Sequence, residues 1–290
     1  LFYLRSRGID VAAARALLVR AFARDVTDRK NAELALLDPT NAPRAEEVVE
    51  EAYGRGLKVL TVGMKARGIK LLRLERDGFA QKLSLSHEGE SYAIRLPLIG
   101  TYQASNALVA AGLCIVTGSV AEGVFAKLET LETVMGRLDI VGEARGGLVV
   151  VDYAHKPDAL EAALDALRPF VTGKLVCIFG CGGDRDRLKR PVMGRIASAK
   201  ADRVIVTDDN PRSEQPAAIR AEILAGANAA EEIGDRGAAI SAAVRSIGKG
   251  DVILIAGKGH EQGQYVGDKV IPFSDHEAAR SALAEINSHG

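Results

Sequence analysis

Charged and polar side chains follow four apolar runs in the second half of the chain. The runs are Leu148–Val151, Leu175–Phe179, Arg203–Thr207 and Asp251–Ala256. The polar residues that come after them include both signs of charge: Asp152, His155, Lys156, Arg185, Asp209, Asn210, Arg212, Lys258, His260 and Glu261. Such a mixture suits a zwitterionic ligand such as an amino acid, because carboxylates bind its ammonium group and arginines bind its carboxylate.

The elements between these runs decide whether the polar residues meet. Helical patterns separate the apolar runs, over Asp158–Phe170, Pro191–Lys200, Pro216–Ala230 and Ala238–Ile247. Strands that alternate with helices predict a parallel sheet, in which the strands' carboxyl ends share one edge and form the usual ligand site. The predicted fold class is therefore α/β, with a C-terminal Rossmann-like, mainly parallel sheet flanked by helices.

The first half of the chain has a different pattern. Short runs of β-forming residues between turn signals predict an antiparallel meander over Ile69–Leu74, Phe79–Leu85 and Ser91–Leu98. An Ala-rich helix follows Asn106, and a Gly-rich stretch at Val141–Gly147 interrupts the periodicity. We therefore expect three parts: a helical segment over residues 1–33, a domain over 34–146 and a second domain over 147–290.

The composition excludes several classes of protein. The chain has 290 residues, 47% of them hydrophobic, and a formal net charge of zero, so no overall field attracts nucleic acid. We expect no membrane span and no signal peptide, because apolar runs of the required length are absent from the sequence. Three cysteines do not make a disulfide framework and favour a reducing cytoplasm.

Three motifs invite functional interpretations that their spacing does not support. Gly180-Cys181-Gly182-Gly183 follows the second strand of its domain, where a dinucleotide fingerprint would follow the first. Gly257-Lys258-Gly259 is not a phosphate loop, because no Ser or Thr follows the lysine. Cys177 and Cys181 could suggest a metal-binding pair, but Cys177 lies within a strand and the sequence has no second pair of cysteines, so we expect no metal site. We interpret His155 and His260 as hydrogen-bonding residues.

Four polar segments follow one another along the second half of the chain: Asp152-Tyr153-Ala154-His155, Phe179–Asp186, Asp208-Asp209-Asn210-Pro211-Arg212 and Ala256–Glu261. In residue type, order and spacing they resemble the Mur ligase family of peptidoglycan synthesis, in its diaminopimelate-adding type. The resemblance implies an ATP- and Mg²⁺-dependent enzyme that forms an amide bond through an acyl phosphate. Its implied substrates are meso-diaminopimelate and UDP-N-acetylmuramoyl-L-alanyl-D-glutamate.

The resemblance also implies binding roles for individual residues. It assigns the incoming amino acid to Arg185, Asp209, Asn210, Pro211, Arg212, Gly257 and Glu261. It places Asn106 at adenine and Arg137 and Asp152 on the phosphate and ribose side of the nucleotide, and it counts His155 among the nucleotide-binding residues. It assigns no catalytic residue. Because diaminopimelate has a second carboxylate that lysine lacks, Arg212 is the residue expected to select for it.

Some family features have no counterpart in this sequence. These are the Gly-Lys-Thr phosphate loop, the lysine that bridges magnesium and the N-terminal uridine-nucleotide domain. We therefore expect the chain to be inactive alone, which leaves open a non-catalytic amino-acid or muropeptide-binding module. Residues 1–30, through Phe2–Ile9 and Ala16–Phe22, instead resemble the C-terminal tail of Suf iron–sulfur scaffold proteins. A role as an interaction protein for a Suf partner is a further alternative.

Overall fold

The computed structural model describes residues 33–36, 45–56 and 58–288, in two compact units that divide between Glu132 and Thr133. The helix predicted within residues 1–30 lies outside the described residues. No helix in the described part of the chain is long and apolar enough to cross a membrane.

In the first unit, the residues that the structure describes form a five-stranded mixed sheet with its strands in sequence order. The strands are β1 (Glu33–Leu36), β2 (Lys58–Gly63), β3 (Ile69–Asp77), β4 (Ala80–His87) and β5 (Glu90–Leu96). The first three are parallel to one another, and β3, β4 and β5 run antiparallel. The predicted antiparallel meander is thus confirmed.

The described part of the first unit has three helices beside this sheet: α1 (Ala45–Gly54), α2 (Thr101–Val116) and α3 (Ala121–Leu128). Small buried residues of α2, among them Ala104, Ala107 and Ala111, let the helix pack closely on the sheet's apolar face. The start of α2 is fixed by Gln81, whose buried Nε2 donates to the carbonyl oxygens of Leu98 and Gly100, at 2.8 and 3.0 Å.

A six-stranded sheet of order β10-β9-β8-β11-β7-β6 forms the second unit. Its strands are β6 (Asp139–Ala144), β7 (Gly147–Asp152), β8 (Leu175–Phe179), β9 (Arg203–Val206), β10 (Glu231–Glu232) and β11 (Val252–Ala256). All pairs are parallel except β6 with β7. The predicted fold class, a mainly parallel α/β sheet with flanking helices, is confirmed.

Five α-helices complete the described part of the second unit: α4 (Pro157–Leu167), α5 (Lys189–Lys200), α6 (Pro216–Leu224), α7 (Arg236–Arg245) and α8 (Asp275–Asn287). A 3-10 turn, Arg168–Phe170, extends α4, and a hairpin of β12 (Gly263–Val266) and β13 (Lys269–Pro272) precedes α8. The central strands β8 and β11 are buried at every position, as expected for a sheet covered on both faces.

The division between the units differs from the boundary expected at 146/147. Residues 139–144 form an edge strand that pairs with β7, so they belong to the second sheet. Ala144 contributes to that sheet's core, and His276 of α8 lies 2.9 Å from the carboxylate of Asp139. A bulge between Ile140 and Gly142 breaks the alternation that would have marked this strand in the sequence.

Candidate functional site

The loops that follow β8 and β9 are packed backbone against backbone. The Gly183 N–H donates to the carbonyl oxygen of Asn210 at 2.9 Å. A Cβ atom at Gly183 would lie 1.9 Å from the carbonyl oxygen of Pro211, so only glycine permits this approach. The predicted convergence of strand-end loops therefore occurs, and it places Pro211 in a buried wall of the site.

Lys258, in the loop after β11, lies at the centre of the site and is fully buried. Its Nζ donates to Oδ1 of Asn210 at 2.7 Å and to the Gly263 carbonyl oxygen at 2.9 Å. Two carboxylates also face this ammonium group, Asp209 at 3.3 Å and Glu261 at 3.7 Å. Lys258 was among the polar loop residues of the sequence, but neither motif nor resemblance gave it a role.

Asn210 connects these charges to the hairpin. Its Nδ2 donates to Oε2 of Glu261 at 3.0 Å, and its Oδ1 accepts the Tyr265 N–H at 3.1 Å as well as the Lys258 ammonium. Asn210 is 4% exposed, so it holds the loops together from within the site. Gln264 adds a further link by donating from Nε2 to the Asp209 carbonyl oxygen at 2.6 Å.

Arg212 has a left-handed backbone conformation with φ of 52°. The hairpin fixes it there: the Arg212 N–H donates to Tyr265 O at 2.9 Å, and the Gly267 N–H donates to Arg212 O at 2.7 Å. The side chain uses Nη1 to reach the Gly183 and Asn210 carbonyl oxygens, at 2.9 and 3.4 Å. Nη1 alone carries the hydrogen bonds of this guanidinium among the described residues, which leaves Nε and Nη2 for a carboxylate.

Arg185 is exposed on the loop after β8, where its Nη1 donates to the Asp184 carbonyl oxygen at 2.9 Å. The loop itself is tied to the segment after Arg212. Ser213 donates to Asp184 through its hydroxyl at 2.6 Å and its N–H at 3.2 Å, and these hydrogen bonds lower the pKa of Asp184. Arg185 and Arg212 therefore stand on two loops with a common frame.

A second buried cation, Arg190, supports that frame and was not predicted. Its guanidinium donates to both oxygens of Glu214, at 2.8 and 2.9 Å, and to Glu222 at 2.9 Å. It also donates to the Gly182 carbonyl oxygen at 3.1 Å. The hydrogen bonds from Arg190 lower the pKa of Glu214 to about 2. No signal in the sequence distinguishes Arg190 from the exposed charges that precede it.

Arg236 is a third buried cation, and it forms an ion pair that was not predicted beneath the loop after β11. Arg236 and Asp275 are both fully buried, and two hydrogen bonds of 2.7 Å join them. The same guanidinium donates to the Ala256 carbonyl oxygen at 3.0 Å, just before Gly257. Gly257 is buried with φ of 121°, which places it in the wall of the site. The pair satisfies the polar groups where β11 ends.

Asp152 is 5% exposed, and backbone groups occupy both of its carboxylate oxygens. The Leu138 N–H donates at 2.7 Å and the Ala154 N–H at 2.8 Å. Burial raises the pKa of Asp152 to about 6, although these hydrogen bonds and Arg137 oppose the shift. The hydrogen bond from the Leu138 N–H to Asp152 fixes the turn that carries Arg137.

Arg137 and three rings lie along the neighbouring surface. The Arg137 guanidinium carbon is 4.6 Å from the centre of the Tyr153 ring, and that ring is 4.6 Å from the ring of His155 and 5.4 Å from that of His260. Burial lowers the pKa of His155, while its 2.8 Å hydrogen bond to the Tyr153 carbonyl oxygen opposes the shift. A cation beside flat rings fits the phosphate side of a nucleotide.

Asn106 belongs to the first unit, on α2, where it is exposed and its Nδ2 lies 3.3 Å from Oε1 of Gln103.

For a metal ion the described residues offer no group of three or more His, Cys, Asp or Glu side chains in suitable positions. The described side chains alone therefore do not form a metal site. Burial raises the pKa of Cys177 to about 12 and of Cys181 to about 11, so both thiols stay protonated.

Comparison with known proteins follows the same division of the chain. Residues 25–114 match the Mur ligase middle domain, and residues 136–259 match the Mur ligase, glutamate ligase domain. The two matches together extend over most of the chain. The chain therefore belongs to the Mur ligase family.

Its relatives include ligases that are named for diaminopimelate. It is 58% identical over 242 residues to the UDP-N-acetylmuramoyl-L-alanyl-D-glutamate–2,6-diaminopimelate ligase of Bradyrhizobium diazoefficiens, a match that covers 82% of this chain and 50% of that protein. The enzyme of the same name from Zymomonas mobilis is 52% identical over 246 residues, which are 83% of this chain and 51% of the relative. The chain thus spans about half the length of the curated relatives it matches.

Solved structures give the same result. A structure of a ligase with that name is 30% identical, has a TM-score of 0.63 and aligns with 97% of this chain and 57% of its own. The UDP-N-acetylmuramate-alanine ligase of Thermotoga maritima is 18% identical with a TM-score of 0.64, covering 99% of this chain and 57% of that one. The second likeness concerns the fold alone.

Proposed function

We propose that this chain is the amino-acid-adding part of an ATP-dependent ligase of peptidoglycan precursor synthesis. The reaction joins meso-diaminopimelate to UDP-N-acetylmuramoyl-L-alanyl-D-glutamate by an amide bond. In this chemistry ATP supplies the phosphoryl group that activates the glutamyl carboxylate for attack by the amine. The proposal implies a cytoplasmic location, because ATP and the uridine-linked precursor are found there.

The observation that carries the proposal is the way Arg212 is held. Its backbone is fixed by the hairpin and Nη1 is anchored to Gly183, while Nε and Nη2 stay available for a bidentate pair with a carboxylate. Asp209 and Glu261 lie in the adjoining loops and supply negative charge for an ammonium group. Such a pairing of groups matches one amino-acid end of diaminopimelate.

The other assigned residues have supporting roles in this proposal. Arg185 reaches the ligand from the exposed side of the site, and Pro211 and Gly257 shape its wall. Arg137, held by Asp152, faces the phosphate side of the nucleotide beside Tyr153 and His155. Asn106, on the first unit, remains our proposed contact for adenine.

Calorimetric titration of the 290-residue chain with meso-diaminopimelate and with L-lysine tests the proposal. We expect diaminopimelate to bind more tightly, because lysine offers Arg212 no second carboxylate. Arg187→Ala is the control for substitutions of Arg212, since Arg187 is exposed on the loop after β8 and pairs with Glu222. Equal affinity for the two ligands, or no binding of either, would refute the proposed specificity.

Turnover is a separate question, because the sequence has no Gly-Lys-Thr phosphate loop. Without such a loop the 290-residue chain lacks the groups that stabilise phosphoryl transfer, so we expect binding without diaminopimelate-dependent ATP hydrolysis. A phosphate-release assay with the ligand, ATP and the nucleotide precursor measures this. Turnover comparable to that of a complete ligase would contradict the expectation.

A further inference from the structure

The charges around Lys258 do not balance. One buried ammonium faces two carboxylates, Asp209 at 3.3 Å and Glu261 at 3.7 Å, so the cluster has one net negative charge. Asp209 is 7% exposed, and its Oδ1, the atom 3.3 Å from the Lys258 ammonium, accepts no hydrogen bond in the described part of the chain. This buried oxygen can therefore accept a hydrogen bond from a ligand ammonium group in addition to its ion pair.

We propose that Lys258 is a positioning residue that sets the charge of the amino-acid site, so that the site is neutralised by one ligand ammonium group. The inference rests on the proposed function. Lys258 offsets one of the two carboxylates, and the remaining negative charge pairs with the amine of the bound amino acid. The same ammonium group holds Asn210 and the Gly263 carbonyl oxygen, which couples the charge of the site to the shape of the hairpin.

Other charged groups around the cluster already have partners or act from outside it. Arg236 faces it from α7 but forms a buried pair with Asp275. Asp208 pairs with Arg220 on the far side of its loop. In the loop after β7, burial raises the pKa of Tyr153 and lowers that of His155, and the charge of Asp209 is a lesser influence on both. Lys258 is therefore the group whose removal changes the charge balance most.

The test is a double-mutant cycle on the 290-residue chain with Lys258→Met and Glu261→Gln. Titration calorimetry with meso-diaminopimelate gives the affinity, and buffers of different ionisation enthalpy give the protons exchanged on binding. We expect Lys258→Met to weaken binding at least tenfold and to bring proton release, because the two carboxylates of the free site then share a proton that the ligand ammonium must displace. Glu261→Gln alone should also weaken binding, since the cluster loses its net charge.

The decisive result is whether Glu261→Gln improves or weakens ligand binding once Lys258 has been replaced. In the Lys258→Met background, Glu261→Gln leaves Asp209 as a single ionised carboxylate with no shared proton to displace, so it should improve binding at least threefold and abolish the proton release. A merely structural lysine would make the two losses add. Additive losses without proton release would overturn the inference, whereas wild-type chain that binds no diaminopimelate would refute the proposed function instead.

Folding of the variants is followed by thermal unfolding. If Lys258→Met does not fold, Lys258→Gln takes its place in the cycle, because glutamine removes the charge and keeps a donor for Asn210. Arg190→Met serves as the matched control, since it removes a buried cation of the same unit that pairs with Glu214 and Glu222. Glu261→Gln should weaken binding in that background as it does in the wild type; an improvement there as well would overturn the inference.

Discussion

Nη1 of Arg212 donates to the Gly183 carbonyl oxygen at 2.9 Å, so the arginine proposed to bind the ligand's second carboxylate is anchored to the neighbouring strand-end loop. The anchor restricts the guanidinium before any ligand arrives, which reduces the side-chain entropy that binding would otherwise cost. The two loops are thus joined, with Gly183 of one packed against Asn210 and Pro211 of the other.

Replacing Arg212 tests whether this guanidinium selects the ligand. Arg212→Ala should weaken meso-diaminopimelate binding by about 2–5 kcal/mol, because one partner of a desolvated charge pair is lost. Lysine binding should change little, and Arg212→Lys should rescue only in part, since an ammonium group does not form a bidentate pair. Calorimetry with both ligands measures the effect.

The left-handed backbone at residue 212 does not complicate the comparison of the wild type with Arg212→Ala. Arginine and alanine meet a similar penalty at φ of 52°, so Arg212→Ala changes the side chain with little added strain. An equal loss for lysine and diaminopimelate would show that Arg212 supports its loop and does not discriminate between ligands.

Arg190 and Arg187 offer a matched pair for stability, since both donate to Glu222 but only Arg190 is buried. Arg190→Met should lower the free energy of unfolding by up to about 3 kcal/mol, because Glu214 and the Gly182 carbonyl oxygen lose their donor. Arg187→Met should have little effect, as expected of an exposed ion pair. Urea denaturation of the two variants measures the difference, and equal losses would contradict the role given to Arg190.

The buried carboxyl of Asp152 predicts a pH dependence of stability. Its pKa is raised in the folded state, from an ordinary value of 3.8 to about 6, so the folded state binds the proton more tightly than the unfolded state. Its contribution to stability is therefore fully present below about pH 4 and is lost as the pH rises through 6. A shift of this size corresponds to roughly 3 kcal/mol.

Asp152→Asn isolates this contribution, because asparagine does not titrate. The free energy of unfolding of the wild type, minus that of the variant, should fall by roughly 3 kcal/mol between pH 4 and pH 7. Urea denaturation across that range gives both curves. Parallel curves would show that Asp152 titrates alike in the folded and unfolded states.

Two fragments test where the second unit begins. A fragment over residues 133–290 keeps β6, the Asp139–His276 contact and the core residue Ala144, whereas a fragment over 147–290 loses all three. We expect the longer fragment to unfold cooperatively at higher urea, because the shorter one exposes an unpaired edge of β7. Equal midpoints would mean that β6 adds nothing to the unit.

The sequence predicted the parallel sheet and its polar edge because each signal is local. Apolar runs such as Leu175–Phe179 and Val252–Ala256 are buried at every position, and the polar residues come directly after them. The strand Asp139–Ala144 was missed, since a bulge and Gly142 hide its alternation. Arg190 and Arg236 were missed for a different reason: their partners are distant in sequence, and nothing local marks a buried arginine.

The outer edge of the second sheet has a consequence for solubility. It ends in β10, a strand of only two residues, and both are glutamates, Glu231 and Glu232. Arg203 and Arg220 pair with these side chains, so the edge presents charge and very little free backbone. Short, charged edge strands discourage the sheet-to-sheet addition that leads to aggregation. Arg203 on β9 and Arg220 on α6 thus help to prevent a second copy of the chain from adding a strand to this edge of the sheet, whose central strands are buried and strongly apolar.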